Sequence, residues 1–236
     1  MRPLPDLDLA RIAPMPREQK RRALEQMKLA WPPFSYGPMR RSALDILNIQ
    51  AGPLATGTRT PWQVIEADIR AHSKSSNETN ANLCVAEALY FFAEERKFTG
   101  RRQEFFALPI GVSEKVTYWS PAIVVIDGRP SVLFIDPRRT RKLSADGRRF
   151  VFSVMHERIR VADPDLAQIG LGIIQFANLE DDVRAPSLHT DDGIDLIDFD
   201  TLDSMVRETY ALWREVLQER EEDSRRRAAG RRGPLI

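Results

Sequence analysis

Two apolar runs joined by a tight turn constrain the fold of this chain more than any other feature of its sequence. The runs KVTYWSPAIVVI and SVLFI are rich in β-branched and aromatic residues, which favour strands. Between them lies Asp127-Gly128, a dipeptide that tolerates the positive φ angles of a type I′ turn. The pattern predicts an antiparallel hairpin in the middle of the chain, with Asp127 as a turn residue.

Helical and further strand patterns surround this hairpin. The segment NANLCVAEALYFFAEERKF is apolar on nearly all sides, which indicates a buried helix with Glu87 in its middle. From Asp200 or Thr201 onwards, apolar residues at helical spacing predict a long amphipathic helix. FFALPI and LGIIQF are typical of strands. The chain therefore predicts an α+β fold, with a central mixed sheet of about four to five strands, N-terminal helices and a long C-terminal helix.

We expect one hydrophobic core flanked by segments of different character. The predicted parts are an N-terminal extended arm and helices (1–59), an α/β core (60–179), an acidic loop (180–199), a C-terminal amphipathic helix (200–229) and a basic tail (230–236). Prolines in residues 1–16 predict extended backbone, and Pro16 begins a helix that Trp31-Pro32-Pro33 ends. The run FVFSVMHERIRV fits either a strand or a helix, and a strand entering a helix is favoured.

The composition is that of a globular protein in a reducing compartment. The 236 residues are 42% hydrophobic and carry a net charge of +1, so bulk charge indicates no class of partner. Cys84 is the single cysteine, which excludes an internal disulfide. No window approaches the roughly 18 to 20 apolar residues of a membrane span, and no signal peptide is visible. We therefore expect a cytoplasmic protein with no membrane partner.

Several catalytic classes lack their motifs. No Cys/His pattern suits zinc, and neither GxGxxG nor GxxxxGK[ST] is present. Ser120 and Ser153 lack the glycines of a nucleophile elbow. His156 lies in a partly apolar run and suits packing better than catalysis.

The central stretch carries a more specific pattern. A helix in which Glu87 is expected to be buried is followed by a short strand and then by YWSPAIVVIDGRPSVLFIDPRR. This order resembles the PD-(D/E)XK nuclease superfamily, in which a helix glutamate precedes a β-meander with a Pro-Asp and an acidic-x-Lys motif. Pro121-Ala122 stands at the place of Pro-Asp, and Asp136-Pro137-Arg138 at that of acidic-x-Lys. The resemblance covers about residues 83–176.

This resemblance implies a restriction-endonuclease-like fold and a metal-dependent phosphodiester hydrolase. Glu87 and Asp136 would bind Mg²⁺, and Arg138 would join them as the third catalytic residue. Two departures point to a weak or inactive nuclease, with Mg²⁺ or no cofactor. Ala122 replaces the central aspartate, and a methyl group cannot bind a metal. Arg138 replaces the lysine, and a guanidinium can hold phosphate but cannot act as a base.

The same carboxylates also have purely structural interpretations. Glu87 could form an ion pair with an arginine of the basic stretch. Asp136 could cap a turn or pair locally with Arg138 or Arg139. The residues alone leave these alternatives open.

Charge is segregated along the second half of the chain. Residues 129–160 are rich in arginine, whereas residues 161–223 are dense in Asp and Glu. An arginine-rich surface favours contact with the phosphates of DNA or another nucleic acid. The residues expected to contact phosphate are Arg138, Arg139, Arg141, Lys142, Arg148 and Arg149. Pairing of this basic surface with the chain's own acidic segment explains the near neutrality equally well.

Two functions follow from these observations. The first is a nucleic-acid-associated protein with a degenerate PD-(D/E)XK-like core. The alternative is a non-catalytic module that binds another protein, or a second copy of itself, through the acidic segment and the C-terminal helix. For the apolar stripe of that helix, which includes Trp213, packing against the core is favoured over binding a partner.

Overall fold

A computed structural model of the chain describes residues 3–27, 35–50, 58–111, 114–178 and 183–230. The helices within these ranges are α1 (Asp6–Ile12), α2 (Arg17–Glu25), α3 (Gly37–Arg41), α4 (Ala43–Ile46), α5 (Trp62–His72), α6 (Ser76–Glu95), α7 (Ala145–Met155) and α8 (Phe199–Gly230). The strands are β1 (Ile49–Gln50), β2 (Thr99–Arg102), β3 (Leu108–Ile110), β4 (Glu114–Val116), β5 (Ala122–Ile126), β6 (Arg129–Asp136), β7 (Gly170–Asn178) and β8 (Arg184–Thr190). A π-helical segment (His156–Val161) continues α7, and a 3₁₀ turn (Pro164–Leu166) follows it. The helix end predicted at Trp31-Pro32-Pro33 and the basic tail beyond residue 230 lie outside the described residues.

The mid-chain hairpin forms as predicted. Asp127 and Gly128 have φ angles of 51° and 81°, the two positive values that a type I′ turn requires. β5 and β6 pair antiparallel, with Ile126 opposite Arg129 at the turn. Asp127 also accepts a hydrogen bond of 2.9 Å from Arg96. Its predicted place in the turn is confirmed.

The described strands form a six-stranded mixed sheet and a separate two-stranded one. The large sheet has the order β1-β2-β5-β6-β7-β8, and β1 contributes only two residues at one edge. β6 and β7 run parallel, with α7 as the crossover, whereas β5–β6 and β7–β8 are antiparallel. The smaller sheet pairs β3 with β4. The predicted α+β fold with a mixed sheet, N-terminal helices and a long C-terminal helix is confirmed.

Helices cover both faces of the large sheet. Alternate side chains of a strand point to opposite faces. In β6, Leu133 and Ile135 pack in a cluster with residues of α6, while Val132 and Phe134 pack in another cluster with residues of α1, α7 and α8. We call these two sides the α6 face and the α7 face. Each side chain of β6 can therefore be assigned to a face by its position in the alternation.

The C-terminal helix closes the α7 face. Its buried apolar stripe comprises Leu202, Val206, Tyr210, Leu212, Trp213 and Val216. Lys20 of α2, only 1% exposed, donates a hydrogen bond of 2.5 Å to Glu208 of α8. The stripe thus belongs to the core, as the favoured interpretation predicts. No helix within the described ranges is both long enough and apolar enough to span a bilayer.

The helix α1 lies within the segment predicted to be extended, so that prediction was wrong. Leu9 and Ile12 are buried in the cluster on the α7 face. Burial of such side chains stabilises by about 1.5–3 kcal/mol each, which outweighs a weak local preference. Pro5 precedes the first turn and Pro14 follows the last, so neither interrupts the hydrogen bonds of the helix.

A second correction concerns residues 145–155, where FVF was predicted to be a strand. These residues form α7, which Ser144 caps by accepting a hydrogen bond of 3.2 Å from the N–H of Gly147. Phe150, Val151 and Phe152 are all buried, because the helix packs between the sheet and other helices. A helix buried on several sides has a continuous apolar run, which periodicity does not distinguish from a strand.

The predicted acidic loop contains a strand. β8 pairs antiparallel with β7 along its length, from Thr190 opposite Gly172 to Arg184 opposite Asn178. Its own sequence has little alternation of apolar and polar residues. Pairing with a neighbouring strand, which is a long-range contact, decides its conformation.

Candidate functional site

Asp136 lies at the end of β6 and is completely buried. Its carboxylate accepts hydrogen bonds from Arg138 Nε at 2.9 Å and from the backbone N–H of Leu143 at 3.1 Å. The side-chain amide of Gln175, on the neighbouring strand β7, donates to it at 3.2 Å. Asp136 thus organises the basic segment that follows β6, and the interpretation in which it pairs locally with Arg138 is the one observed.

Glu87 is placed elsewhere. It is exposed on α6, so the prediction that this glutamate is buried was wrong. The helix packs against the α6 face, whereas Asp136, by the alternation along β6, points to the α7 face with Val132 and Phe134. The sheet therefore separates the two carboxylates. Convergence of these groups on one pocket, which the nuclease interpretation requires, does not occur.

Ala122, like Glu87, lies on the opposite side of the sheet from Asp136. It packs in the cluster on the α6 face, while Asp136 points to the α7 face. An aspartate at position 122 would hence lie across the sheet from Asp136. The two positions do not form a shared site.

The residues predicted to bind Mg²⁺ do not fit the ion. A magnesium site needs carboxylate oxygens that are free to bind the metal. Both oxygens of Asp136 already accept hydrogen bonds, and the Arg138 guanidinium lies 2.9 Å away. The part of the chain that the structure describes contains no group of three or more His, Cys, Asp or Glu residues arranged to hold a metal.

Most of the basic residues predicted to contact phosphate are held by the protein itself. Arg138 pairs with Asp136 and, at 3.6 Å, with Asp8. The Lys142 ammonium donates to the carbonyl of Phe176, and Arg148 donates to Gln175 at 3.1 Å.

The remaining three basic residues differ in exposure. Arg149 is half-buried and forms an ion pair of 2.8 Å with Asp195. Arg139 and Arg141 are exposed. Contact of any of the six basic residues with a phosphate group stays a prediction.

The acidic segment supplies partners for the basic one. Arg160 and Asp191 form an ion pair of 2.6 Å in which the side chains are only 13% and 8% exposed. Asp191 also accepts from the backbone N–H of Leu171, which joins it to β7. Arg129 pairs with Asp192 at 3.0 Å and holds the pKa of that carboxyl below its ordinary value. With Asp195, which pairs with Arg149, three aspartates of this segment are thus paired with arginines of the same chain.

The side chains singled out in the sequence add no reactive cluster. Cys84 is half-buried on α6. His156 begins the π-helical segment, and its buried Nδ1 has no hydrogen-bond partner among the described residues. His189 of β8 is a further histidine, and burial together with the charge of Arg148 lowers its pKa.

One exposed aromatic residue was missed by the sequence interpretation. Phe106 lies in the connection between β2 and β3 and is 83% exposed. The pattern FFALPI predicts a strand from residue 105, whereas β3 begins at Leu108. The preceding Phe105 packs against the core cluster of the α7 face. The pair of adjacent phenylalanines could have indicated this exposure. Extended backbone directs neighbouring side chains to opposite sides, so one ring points outward when the other packs inward.

Comparisons with known proteins identify the family to which the chain belongs. Residues 7–223 match a family model described as "Sliding clamp-binding bacterial toxin SocB". The chain is 37% identical over 227 residues to the DNA replication inhibitor toxin SocB of Caulobacter vibrioides (strain NA1000 / CB15N), a match that covers 96% of this chain and 95% of that protein. No solved structure matches it significantly.

These findings overturn the resemblance stated for the central stretch. The family match includes residues 83–176, and no PD-(D/E)XK relationship is found. The prediction of that superfamily, and with it that of a nucleic-acid-associated nuclease, was wrong. The alternative interpretation, a module that binds another protein, agrees better with the family match, since the description of the family names a protein as the partner. The chain belongs to the SocB family of sliding clamp-binding bacterial toxins.

Proposed function

We propose that this chain is a toxin that inhibits DNA replication by binding the sliding clamp. The observation that carries the proposal is the extent of the two matches. The family model begins at residue 7, in α1, and ends at residue 223, in α8. A relative with a replication-inhibiting role aligns over nearly its whole length. The proposal thus concerns the complete described fold and not one motif within it.

The chemistry of the described residues supports inhibition by binding. The most deeply buried carboxylate of the predicted site, Asp136, holds a loop, and Glu87 is separated from it by the sheet. A binder needs a rigid surface and no reacting groups. Its effect is then stoichiometric: one toxin molecule occupies one binding site on the clamp.

A reconstituted replication assay tests the proposal. DNA synthesis by a clamp-dependent polymerase is measured while the toxin is titrated at two concentrations of the clamp from the same bacterium. We expect the toxin concentration that halves synthesis to rise in proportion to the clamp concentration, with the template intact on a gel. Inhibition that is independent of added clamp, or loss of the template, would refute the proposal.

A further inference from the structure

Phe106 is the most exposed of the large apolar side chains in the described part of the protein, at 83%. The two surfaces that the sequence suggested for a protein partner are already used by the fold. The stripe of α8, including Trp213, is buried in the core. The acidic aspartates Asp191, Asp192 and Asp195 are paired with arginines. These two surfaces are therefore engaged in contacts within the chain, whereas the ring of Phe106 is not covered.

The loop that carries Phe106 is held in place on both sides. Gln103 N–H donates to the carbonyl of Pro121 at 3.0 Å, which ties the start of the loop to β5. Arg158 Nε donates to the carbonyl of Phe106 at 2.6 Å, and its guanidinium lies 5.6 Å from the ring centroid. Phe105 packs inward against the core. With Phe105 inside and the backbone fixed, the ring of Phe106 points outward.

This arrangement has the physical properties of a binding anchor. An exposed phenyl ring keeps apolar surface in water, and that surface becomes favourable only when a partner covers it. Because the loop is already ordered, docking costs little additional conformational entropy. Large aromatic side chains that enter a pocket contribute most of the affinity of many protein interfaces.

We propose that Phe106, with Arg158 beside it, is the anchor that this chain inserts into an apolar pocket of the sliding clamp. This inference rests on the function proposed above and assigns its contact surface. The clamp is the chosen occupant because the family to which the chain belongs is described as clamp-binding. The guanidinium of Arg158 adjoins the ring, so a pocket with an acidic or carbonyl group on its rim fits best.

Binding of purified full-length variants to the clamp from the same bacterium tests the anchor. We expect Phe106→Ser to weaken the affinity about 30-fold, equivalent to about 2 kcal/mol. The matched control is Phe91→Ser, which removes a phenyl ring that is 51% exposed on α6, the helix of the other sheet face. The control should bind like the wild type. Equal urea midpoints of all three proteins would show that the fold is unchanged.

The outcomes separate this inference from the proposed function. Failure of the wild type to bind the clamp would refute both. Binding by the wild type with an unchanged affinity of Phe106→Ser would overturn the anchor alone. An equal loss in Phe91→Ser would also overturn it, because the effect would not be specific to the loop. A wild-type dimer that Phe106→Ser dissociates would assign the ring to self-association instead.

Discussion

Asp136 and Gln175 are opposite each other on the parallel strands β6 and β7, and the Gln175 amide donates to the Asp136 carboxylate at 3.2 Å. The same amide donates to the carbonyl of Leu143, also at 3.2 Å. Leu143 N–H in turn donates to Asp136. This buried network connects β6 and β7 to the basic segment between β6 and α7.

We expect Asp136→Asn to lower the free energy of unfolding by about 3 kcal/mol, because the charge of the half-buried Arg138 loses its carboxylate. The measurement is urea denaturation followed by circular dichroism. Asp127→Asn is the control, since asparagine also tolerates the positive φ of the turn. Its exposed ion pair with Arg96 should contribute at most about 1 kcal/mol. Equal losses in the two variants would contradict this role of Asp136.

Glu87→Gln should have almost no effect, since the side chain is exposed on α6. The free energy of unfolding should change by less than about 0.5 kcal/mol, and inhibition of replication should be unchanged. Glu78→Gln on the same helix is the contrasting variant. The buried Glu78 carboxylate accepts from the N–H of Ser35 at 3.0 Å and of Lys74 at 2.6 Å, so its loss should lower the urea midpoint. A Glu87 variant without activity but with normal stability would contradict this expectation and would assign the carboxylate to the functional surface.

The ion pair between Lys20 and Glu208 should make stability depend on pH. The hydrogen bond from Lys20 holds the pKa of Glu208 below its ordinary value of 4.5. A carboxyl with a lowered pKa in the folded state contributes stability above its unfolded pKa, and this contribution is lost as the pH falls through the folded value. Unfolding free energies measured from about pH 6 to pH 3 should therefore fall at the acid end, and fall less in Lys20→Met.

The exposed carboxylate Glu18, also on α2, offers the control for this pH experiment. Glu18→Gln should keep the shape of the wild-type profile. An unchanged profile in Lys20→Met would show that other carboxyls account for the acid sensitivity.

Trp213→Ala should destabilise the protein by about 3–5 kcal/mol, because the indole is only 2% exposed within the core cluster. Thermal or urea unfolding measures the effect. Arg214→Ala, which alters the adjacent exposed residue, should stay within about 0.5 kcal/mol of the wild type. If Trp213→Ala instead remained as stable as the wild type but changed its native mass, α8 would be an interface between molecules.

Local sequence chemistry determined several elements of this protein. The turn at Asp127-Gly128 follows from which residues tolerate positive φ, and α8 follows from an apolar stripe long enough to specify a helix by itself. The α+β class follows from such elements. In each case the information lies within a few neighbouring residues, so it can be obtained without knowing the fold.

Tertiary structure decided the elements with weak or ambiguous local patterns. β8 exists through its pairing with β7, and α7 is a helix because it is enclosed by the sheet and other helices. The backbone of Phe106 accepts a hydrogen bond from Arg158, which is 52 residues away in the chain. Long-range contacts of this kind have no signature in a short window of sequence.

The candidate site shows most clearly the difference between what the local sequence specifies and what long-range contacts decide. The sequence contains Glu87 and Asp136 in an order that resembles a nuclease motif, but order along a chain does not specify a side of the sheet. The face is set by the alternation of side chains along β6 and by the face on which α6 packs, and these place the two carboxylates apart. The sequence by itself therefore supplied the two carboxylates and their order along the chain. Strand register and helix packing decided that they lie on opposite sides of the sheet.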